Sequence, residues 1–211
     1  SDVYKRQVKD FVFPMLRCNA LFEGEYLLGT AIARPLIVKR LVEVGLQEGT
    51  NIISHGATGK GNDQIRFEIG ARALNKNIKV IAPWREWDMT SRSDLMEYCK
   101  KYQIPMPASK AEEPPFSMDE NLLHISYEGG ALEDLSSPPP DDMWLNTKSI
   151  EEASDHAEEI EIEFCKGDPI SINGENFSSS KILSKLNEYG SNHGIGRVDI
   201  VESRATGMKS R

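Results

Sequence analysis

Short apolar segments with helical and strand spacing alternate along the first half of the chain. Residues 35–47 carry apolar side chains at helical intervals, and residues 51–54 form a short apolar run that is typical of a buried strand. Residues 63–74 repeat the helical pattern, and residues 78–82 form a second run that Pro83 ends. This order of helix, strand, helix and strand predicts an α/β domain in which helices cover a parallel sheet.

The sequence also predicts where two helices begin and which face of another is buried. Pro35 suits the first turn of its helix, where a missing N–H is tolerated. In the second helix Ile65, Ile69 and Ala73 share one face, which we expect to be the buried one. A further helix is predicted to begin at Ser91, which opens an S-x-x-D capping pattern.

The pattern changes beyond a proline-rich stretch. Four prolines fall between residues 105 and 115, and we place a linker at residues 108–116. Beyond the linker, residues 160–172 alternate and turn as an antiparallel hairpin does. A helix near 180–189 and a strand at 198–201 complete this half, which we predict to be an α+β region over residues 117–211.

The composition narrows the range of partners. The chain has 211 residues with 33 acidic and 25 basic side chains, which give a formal net charge of −8. Nucleic acids and anionic membranes require a contiguous cationic surface, so we expect neither as a partner. The cysteines are too far apart for a CxxC motif, and no apolar run reaches the ~20 residues of a membrane span. We therefore expect a cytoplasmic protein with small-molecule partners.

Both ends of the sequence are expected to be cuts within a longer protein. Residues 2–7 can be back-translated into a transposon end that is used in preparing sequencing libraries, so we expect residues 1–7 to be non-native. The other end stops at Arg211, directly after a patterned segment.

A glycine-rich segment carries the clearest chemistry. Gly56, Gly59 and Gly61 follow a predicted strand and precede a predicted helix, an arrangement in which backbone N–H groups can converge on an anion. The segment is not a Walker A loop, because Asn62 and Asp63 follow Gly61 where that motif has Lys and Ser or Thr. It also lacks the third glycine of the dinucleotide fingerprint. A phosphate would fit here.

Polar side chains cluster around the same segment. Asn62 and Arg66 are four residues apart and so share a face of the predicted helix, which Thr58 and Asp63 flank. A hydroxyl, an amide, a carboxylate and a guanidinium can together hold the charged groups of an amino acid. The alternative is that Asn62 or Asp63 only caps the helix and that Arg66 is a solvated surface residue. Spacing alone leaves both interpretations open.

Two histidines, His55 and His124, are candidates for acid–base chemistry. An isolated histidine is more often a hydrogen-bonding structural residue, and no Asp or Cys lies at a triad or metal spacing from either. We expect both to be structural.

Several motifs, in order along nearly the whole chain, resemble the argininosuccinate synthase family. They are YLLGT with ARP in residues 26–35, SHGATGKGNDQIR in 54–66, IAPWR in 81–85, SMDENL with HISYE in 117–128, and residues 193–202.

The resemblance implies an ATP-dependent carbon–nitrogen ligase of arginine biosynthesis, with ATP as co-substrate together with Mg²⁺. L-Citrulline would be activated as a citrullyl-adenylate and joined to L-aspartate, which gives argininosuccinate, AMP and pyrophosphate. Residues 8–107 would be the later part of an adenine nucleotide α-hydrolase-like nucleotide-binding domain, and residues 117–211 the first part of a synthetase domain. The full-length protein would be a homotetramer.

The resemblance also implies which residues bind each substrate, because they lie in the matching motifs. It assigns no catalytic side chain and no metal ligand. Gly56 would contact ATP, and Thr58, Asn62 and Asp63 would bind aspartate. Citrulline would be bound by Tyr26, Asn62, Arg66, Ser117, Ser126 and Glu202.

The chain departs from the family in three ways. Ala31 stands where the family has serine after Gly29-Thr30, which removes a hydroxyl worth about 1 kcal/mol of citrulline binding. Ser203 replaces an asparagine after Glu202. The family's Ser-Gly-Gly-x-Asp-x-Ser phosphate loop is not in the chain, so we expect the chain alone to be inactive. Two alternatives remain: a non-catalytic phosphate- or amino-acid-binding module, and another adenylating synthetase on the same scaffold.

Overall fold

The computed structural model describes residues 6–57, 62–89, 92–105, 116–201 and 209–210. The described residues form two compact units. One unit contains residues 33–105, and the other combines residues 6–32 with residues 116–201 and 209–210. The predicted linker at 108–116 lies outside the described residues except for Phe116, and so does Ser91 of the predicted helix cap.

The helices and strands of the described residues are few and mostly short. A π-helical turn, Val8–Val12, runs directly into the first α-helix. The α-helices are α1 Phe13–Arg17, α2 Gly29–Gln47, α3 Asn62–Leu74, α4 Arg92–Lys101 and α5 Ser179–Asn192. The strands are β1 Leu21–Phe22, β2 Tyr26–Leu27, β3 Ile52–Ser54, β4 Lys79–Ile81, β5 Ser117–Glu120, β6 Ile125–Glu128, β7 Ile162–Cys165, β8 Asp168–Ile172, β9 Glu175–Asn176, β10 Ile200–Val201 and β11 Lys209–Ser210.

The unit of residues 33–105 has the predicted α/β architecture. β3 and β4 pair in parallel, with Ile53 opposite Val80, and α3 connects them. Its core is a cluster of buried apolar side chains from the two helices, β3 and the start of β4: Val38, Val42, Ile53, Ala71 and Ile78. The α/β prediction for this half is confirmed.

The helix predicted from Pro35 begins six residues earlier, at Gly29, so that Pro35 lies inside α2. The prediction of its start was wrong because a helical backbone bond and a tertiary contact hold the first turn. Leu28 accepts a hydrogen bond from the N–H of Ile32 at 3.0 Å, and the hydroxyl of Thr30 donates to Asp119 at 3.0 Å. The helix tolerates one absent N–H at Pro35 because the surrounding turns are fixed.

The predicted buried face of α3 was also wrong. Ile65 is 58% exposed and Ile69 is 65% exposed, and Ala73 is exposed as well. The buried residues of the helix are Gln64 and Ala71. Gln64 can be buried because its side chain bonds to the carbonyl of Ala57 at 3.4 Å and accepts from Arg85 at 2.9 Å.

The second unit contains three small antiparallel sheets. β1 pairs with β2, β7–β8–β9 form a three-stranded sheet, and β5 and β6 form a hairpin at one edge of a sheet of order β10–β11–β6–β5. One core cluster joins Val8, Val12 and Phe13 to partly buried residues of the far half, Leu122, Leu123 and Leu183. A second cluster lies under β6 and contains Tyr127, Leu132 and Met143.

The predicted β7–β8 hairpin is confirmed, but the predicted alternation of buried and exposed side chains is not seen along β7, where Glu163, Phe164 and Cys165 are all exposed. The register shifts between Glu163 and Phe164, and Phe164 is exposed although the alternation placed it on the buried side. A β-bulge turns the following side chains away from their expected face. Within the described ranges, no helix has both the length and the apolar character needed to cross a bilayer.

Candidate functional site

An aspartate at the start of α3 is held between two arginines in the unit of residues 33–105. Oδ2 of Asp63 accepts a hydrogen bond from Nε of Arg34 at 3.0 Å and lies 2.9 Å from its Nη2. Oδ1 of Asp63 accepts from Nη1 of Arg66 at 2.8 Å. A guanidinium has five N–H donors, so Arg66 can bond to Asp63 and to a ligand oxygen at the same time. Arg66 is thus fixed by an ion pair at the position where the sequence predicted a ligand contact.

The loop that follows β3 begins at a buried histidine. His55 is 8% exposed, its ring stacks on Phe67 with centroids 4.7 Å apart, and its Nδ1 accepts the N–H of Ala57 at 3.2 Å. Burial and, secondarily, the positive charge of Arg85 lower the pKa of His55. A neutral ring with its proton on Nε2 is the form that can accept from Ala57. His55 therefore shapes the start of the glycine-rich loop as a neutral side chain.

Gly56 is exposed beside this histidine. A Cβ built on Gly56 would meet no atom within 4 Å, so packing against described residues does not require glycine there. The rest of the loop, including Thr58, lies outside the described residues. Asn62 is the first residue of α3 and is exposed.

One face of the β5–β6 hairpin is polar. Ser117 lies opposite Glu128, and Asp119 lies opposite Ser126. Side chains two residues apart on a strand point to the same side, so these four share a face. The other face carries Tyr127, which is 2% exposed and packs into the core. The alternation thus brings the predicted citrulline residues Ser117 and Ser126 onto one surface, where Ser117 is exposed and Ser126 is buried.

The segment from Tyr26 to Thr30 lies against this hairpin. The hydroxyl of Thr30 donates to Oδ2 of Asp119 at 3.0 Å and accepts from Nδ2 of Asn121 at 3.3 Å. A Cβ built on Gly29 would lie 2.1 Å from Oδ1 of Asn121, so the approach requires glycine. The ring of Tyr26 contacts the ring of His124, with centroids 4.7 Å apart.

A cavity of about 830 Å³ opens beside Tyr26 within the same unit. Asn121 and His124 line it together with residues of α5 and of the loop that follows, including Arg197. The guanidinium of Arg197 lies 4.8 Å from the ring centroid of Trp144 and donates to Thr147. A small molecule could therefore reach Tyr26 from this cavity.

The predicted site residues are distributed over both units. Asn62, Asp63 and Arg66 belong to one unit, and Tyr26, Ser117 and Ser126 belong to the other, while Glu202 lies outside the described residues. Among the described residues, no group of three or more His, Cys, Asp or Glu could hold a metal ion.

The sequence did not single out three side chains that organise these sites: Arg34, Asp119 and Asn121. Arg34 lies in the ARP motif, and the other two lie in the SMDENL motif. Membership in those motifs was the only feature of the sequence that could have pointed to them.

Two family models match the chain in order. The first is the arginosuccinate synthase N-terminal HUP domain, which matches residues 1–105. The second is the arginosuccinate synthase C-terminal domain, which matches residues 116–211. HUP domains have an adenine nucleotide α-hydrolase-like fold, which agrees with the α/β unit described above.

Curated relatives align with the whole chain. A protein of a Nitratiruptor species named argininosuccinate synthase is 58% identical over 211 residues, which are 100% of this chain and 52% of the relative. Proteins of the same name from Aliarcobacter butzleri and a Ruegeria species are 58% and 59% identical, again over 100% of this chain and 52% of each relative. The chain spans about half the length of the curated relatives it matches.

Proposed function

Since this chain belongs to the argininosuccinate synthase family, we propose that the protein containing it joins L-citrulline to L-aspartate at the expense of ATP. The observation that carries the proposal is the match of both family domains, in order, over residues 1–105 and 116–211. The three named relatives, which are 58 to 59% identical over the whole chain, support the same activity.

The proposed reaction has two steps, the adenylation of citrulline and the displacement of AMP by aspartate. The ureido oxygen of citrulline attacks the α-phosphorus of ATP, the bond to the β-phosphate oxygen breaks, and pyrophosphate leaves. The amine of aspartate then attacks the ureido carbon, AMP leaves with the oxygen, and the amine loses a proton. Such chemistry depends mainly on positioning and charge neutralisation, so a site rich in donors without a nucleophilic side chain suits it.

ATP is proposed to bind near Gly56, in the loop between β3 and α3. The loop leaves the carboxyl end of a parallel strand and leads to the N-terminus of a 13-residue helix, which favours a phosphate. We propose that ATP binds as its Mg²⁺ complex, because Mg²⁺ commonly keeps several waters and binds through substrate phosphates.

Aspartate is proposed to contact Thr58, Asn62 and Asp63. Citrulline is proposed to contact Tyr26, Asn62, Arg66, Ser117, Ser126 and Glu202. The ion pair between Asp63 and Arg66 supports these roles, because it fixes the direction of the guanidinium. The polar face of the β5–β6 hairpin supports the roles of the two serines.

A direct assay tests this proposal. The complete reading frame that encodes this chain is expressed, and argininosuccinate, AMP and pyrophosphate are measured with citrulline, aspartate and ATP present. We expect equal amounts of the three products at turnover and no argininosuccinate when any substrate is omitted. Without aspartate, the first step can release at most one pyrophosphate per active site. Pyrophosphate release that does not require citrulline would instead indicate another adenylating synthetase. The absence of any turnover would indicate a non-catalytic binding module.

A matched pair of variants tests the role of Arg66. Arg66→Lys keeps the charge but loses the planar fork of donors, so we expect the KM for citrulline to rise about tenfold with the KM for ATP unchanged. Arg72→Lys on the same helix is the control, because Arg72 is 68% exposed and pairs only at 3.4 Å with Glu68. An equal effect of both variants would contradict the assignment.

We also propose a homotetrameric assembly and a cytoplasmic location for the full-length protein. The cytoplasmic location is supported by the cysteines, because Cys18, Cys99 and Cys165 are all free thiols. Sedimentation of the full-length protein tests the assembly.

A further inference from the structure

We propose that Asn121 and His124 are positioning residues for citrulline, which hold the Tyr26–Thr30 segment against the hairpin that carries Ser117 and Ser126. This inference rests on the proposed function, because it concerns the citrulline site of that reaction. In this proposal neither residue touches the substrate. His124 acts through Tyr26, and Asn121 acts through Thr30.

His124 fixes Tyr26 through two contacts. Its Nε2 donates to the carbonyl of Leu27 at 3.0 Å, and its ring lies against the ring of Tyr26 at 4.7 Å between centroids. A carbonyl only accepts, so Nε2 carries the proton. Nδ2 of Asn121 lies 3.4 Å from Nδ1 and 3.3 Å from Nε2, and of these two ring nitrogens only the unprotonated Nδ1 can accept from it. Both the backbone and the ring next to the proposed ligand are therefore anchored to one imidazole.

The imidazole suits this role in its neutral form. Burial lowers the pKa of His124, while the hydrogen bond to Leu27 and the charge of Asp119 act in the opposite direction. A neutral ring donates from one nitrogen and accepts at the other, which matches the two partners.

Asn121 fixes the other end of the segment. Its Oδ1 accepts the N–H groups of Leu123 at 2.9 Å and of His124 at 3.2 Å, which holds the amide in one orientation. Its Nδ2 reaches the hydroxyl of Thr30 at 3.3 Å, and its carbonyl oxygen occupies the space next to Gly29. The start of α2 is thereby seated on the hairpin turn.

The hairpin connects these anchors to the two serines. Asn121 follows β5 and His124 precedes β6, and the backbone of Asn121 bonds to the carbonyl of His124 at 3.0 Å. Asp119, opposite Ser126, accepts the hydroxyl of Thr30. Movement of this turn would therefore separate Tyr26 from Ser117 and Ser126, which would weaken citrulline binding without touching the ATP loop.

The test compares two amide replacements of His124 in the complete enzyme. His124→Gln can place its Nε2 near the position of the histidine Nε2 and keep the bond to Leu27, whereas His124→Asn can place its Nδ2 only near the position of Nδ1. We expect the KM for citrulline to rise about tenfold in His124→Asn and in Asn121→Ala, and distinctly less in His124→Gln. We expect the KM for ATP and for aspartate to stay within about twofold. His156→Gln, at an exposed histidine, is the control and should change none of them.

The outcomes separate this inference from the proposed function. If the wild-type enzyme makes argininosuccinate but the three KM values change together, or Gln and Asn behave alike, the positioning role is overturned. If the wild-type enzyme makes no argininosuccinate, the proposed function fails and this role fails with it. Imidazole ¹⁵N NMR of the 211-residue chain gives a readout independent of activity: we expect His124 to be protonated on Nε2, and protonation on Nδ1 would overturn the anchor to Leu27.

Discussion

Protonation of His55 competes with folding, because the folded chain surrounds the ring with apolar contacts and a positive charge. The pKa of His55 lies below its ordinary value of 6.5 in the folded state, so the unfolded state binds the proton more readily. The stabilising contribution is complete above about pH 6.5 and is lost as the pH falls towards the folded-state pKa. We expect the Tm of the 211-residue chain to fall between pH 7.5 and pH 5.5.

A His55→Phe variant isolates this effect, because phenylalanine keeps the stacking on Phe67 but does not titrate. The fall in Tm on acidification should be smaller in the variant than in the wild type, although His124 still contributes to both. Comparing the same protein at two pH values cancels any change in packing. An equal or larger fall in the variant would show that His55 is not responsible.

Gly29 is a second residue at which the structure makes a sharp prediction. In Gly29→Ala the new Cβ would lie 2.1 Å from Oδ1 of Asn121, which is held by two backbone N–H groups. We expect the free energy of unfolding to decrease by about 1 to 3 kcal/mol, measured by urea denaturation.

Two controls accompany this measurement. At Gly190 in α5 a Cβ would meet only ordinary contact at 3.7 Å, so Gly190→Ala should be neutral or stabilising. Adding Asn121→Ala should recover part of the loss at Gly29, because it removes the clashing atom. Strictly additive losses would contradict the clash.

Local spacing placed Asp63 beside the face that carries Arg66, and the two side chains form an ion pair three residues apart on one helix. It could not find Arg34, which reaches Asp63 across 29 residues, or Asn121, which reaches Thr30 across 91. Those partners depend on the tertiary fold, and a periodic pattern holds no information about it.

Among the elements, α2 and α3 show where hydropathy was informative and where it was not. In the α/β unit, α2, α3, β3 and β4 were predicted within a few residues, apart from the start of α2. The buried face of α3 was missed because its buried residues are a polar one, Gln64, and a small one, Ala71, and the large apolar side chain beside them, Phe67, is only partly buried. Two isoleucines on another face outweigh those residues in any hydropathy pattern.

This difference in burial predicts unequal costs of substitution. In the 211-residue chain, Ile69→Gln should change the free energy of unfolding by less than about 0.5 kcal/mol, because Ile69 is 65% exposed. Val38→Ala should cost about 2 kcal/mol, because Val38 is fully buried against Gly70 and the core cluster. Urea denaturation measures both changes. A larger decrease in the free energy of unfolding for Ile69→Gln than for Val38→Ala would show that the face of Ile69 is buried, as the sequence predicted.

In the whole molecule, the two family models and the compact units divide the chain differently. The models divide it between residues 105 and 116, whereas residues 6–32 pack with the unit of residues 116–201. The reason is the cluster of Val8, Val12 and Phe13 with leucines of the far half. The domains expected at 8–107 and 117–211 follow the order of the sequence. The contacts of this cluster instead join residues of the first of these domains to residues of the second.

The crossing contacts predict the fate of a truncated chain. Residues 116–211 expressed alone would expose the surface that Val8, Val12 and Phe13 cover, so we expect a poorly dispersed amide NMR spectrum without cooperative unfolding. Supplying residues 1–32 as a separate peptide should restore dispersion. A well-dispersed spectrum of residues 116–211 alone would show that the cluster is dispensable.

The same cluster has a consequence for synthesis on the ribosome. Val8, Val12 and Phe13 leave the ribosome before Leu122, the first of their partners from the far half, which follows Phe13 by 109 residues. At about 5 to 20 residues per second, this interval lasts roughly 5 to 22 s. The intervening residues 33–105 can complete their own α/β core during that time. The nascent chain therefore exposes the apolar side chains of Val8, Val12 and Phe13 for seconds, which makes this segment a natural binding point for a chaperone during translation.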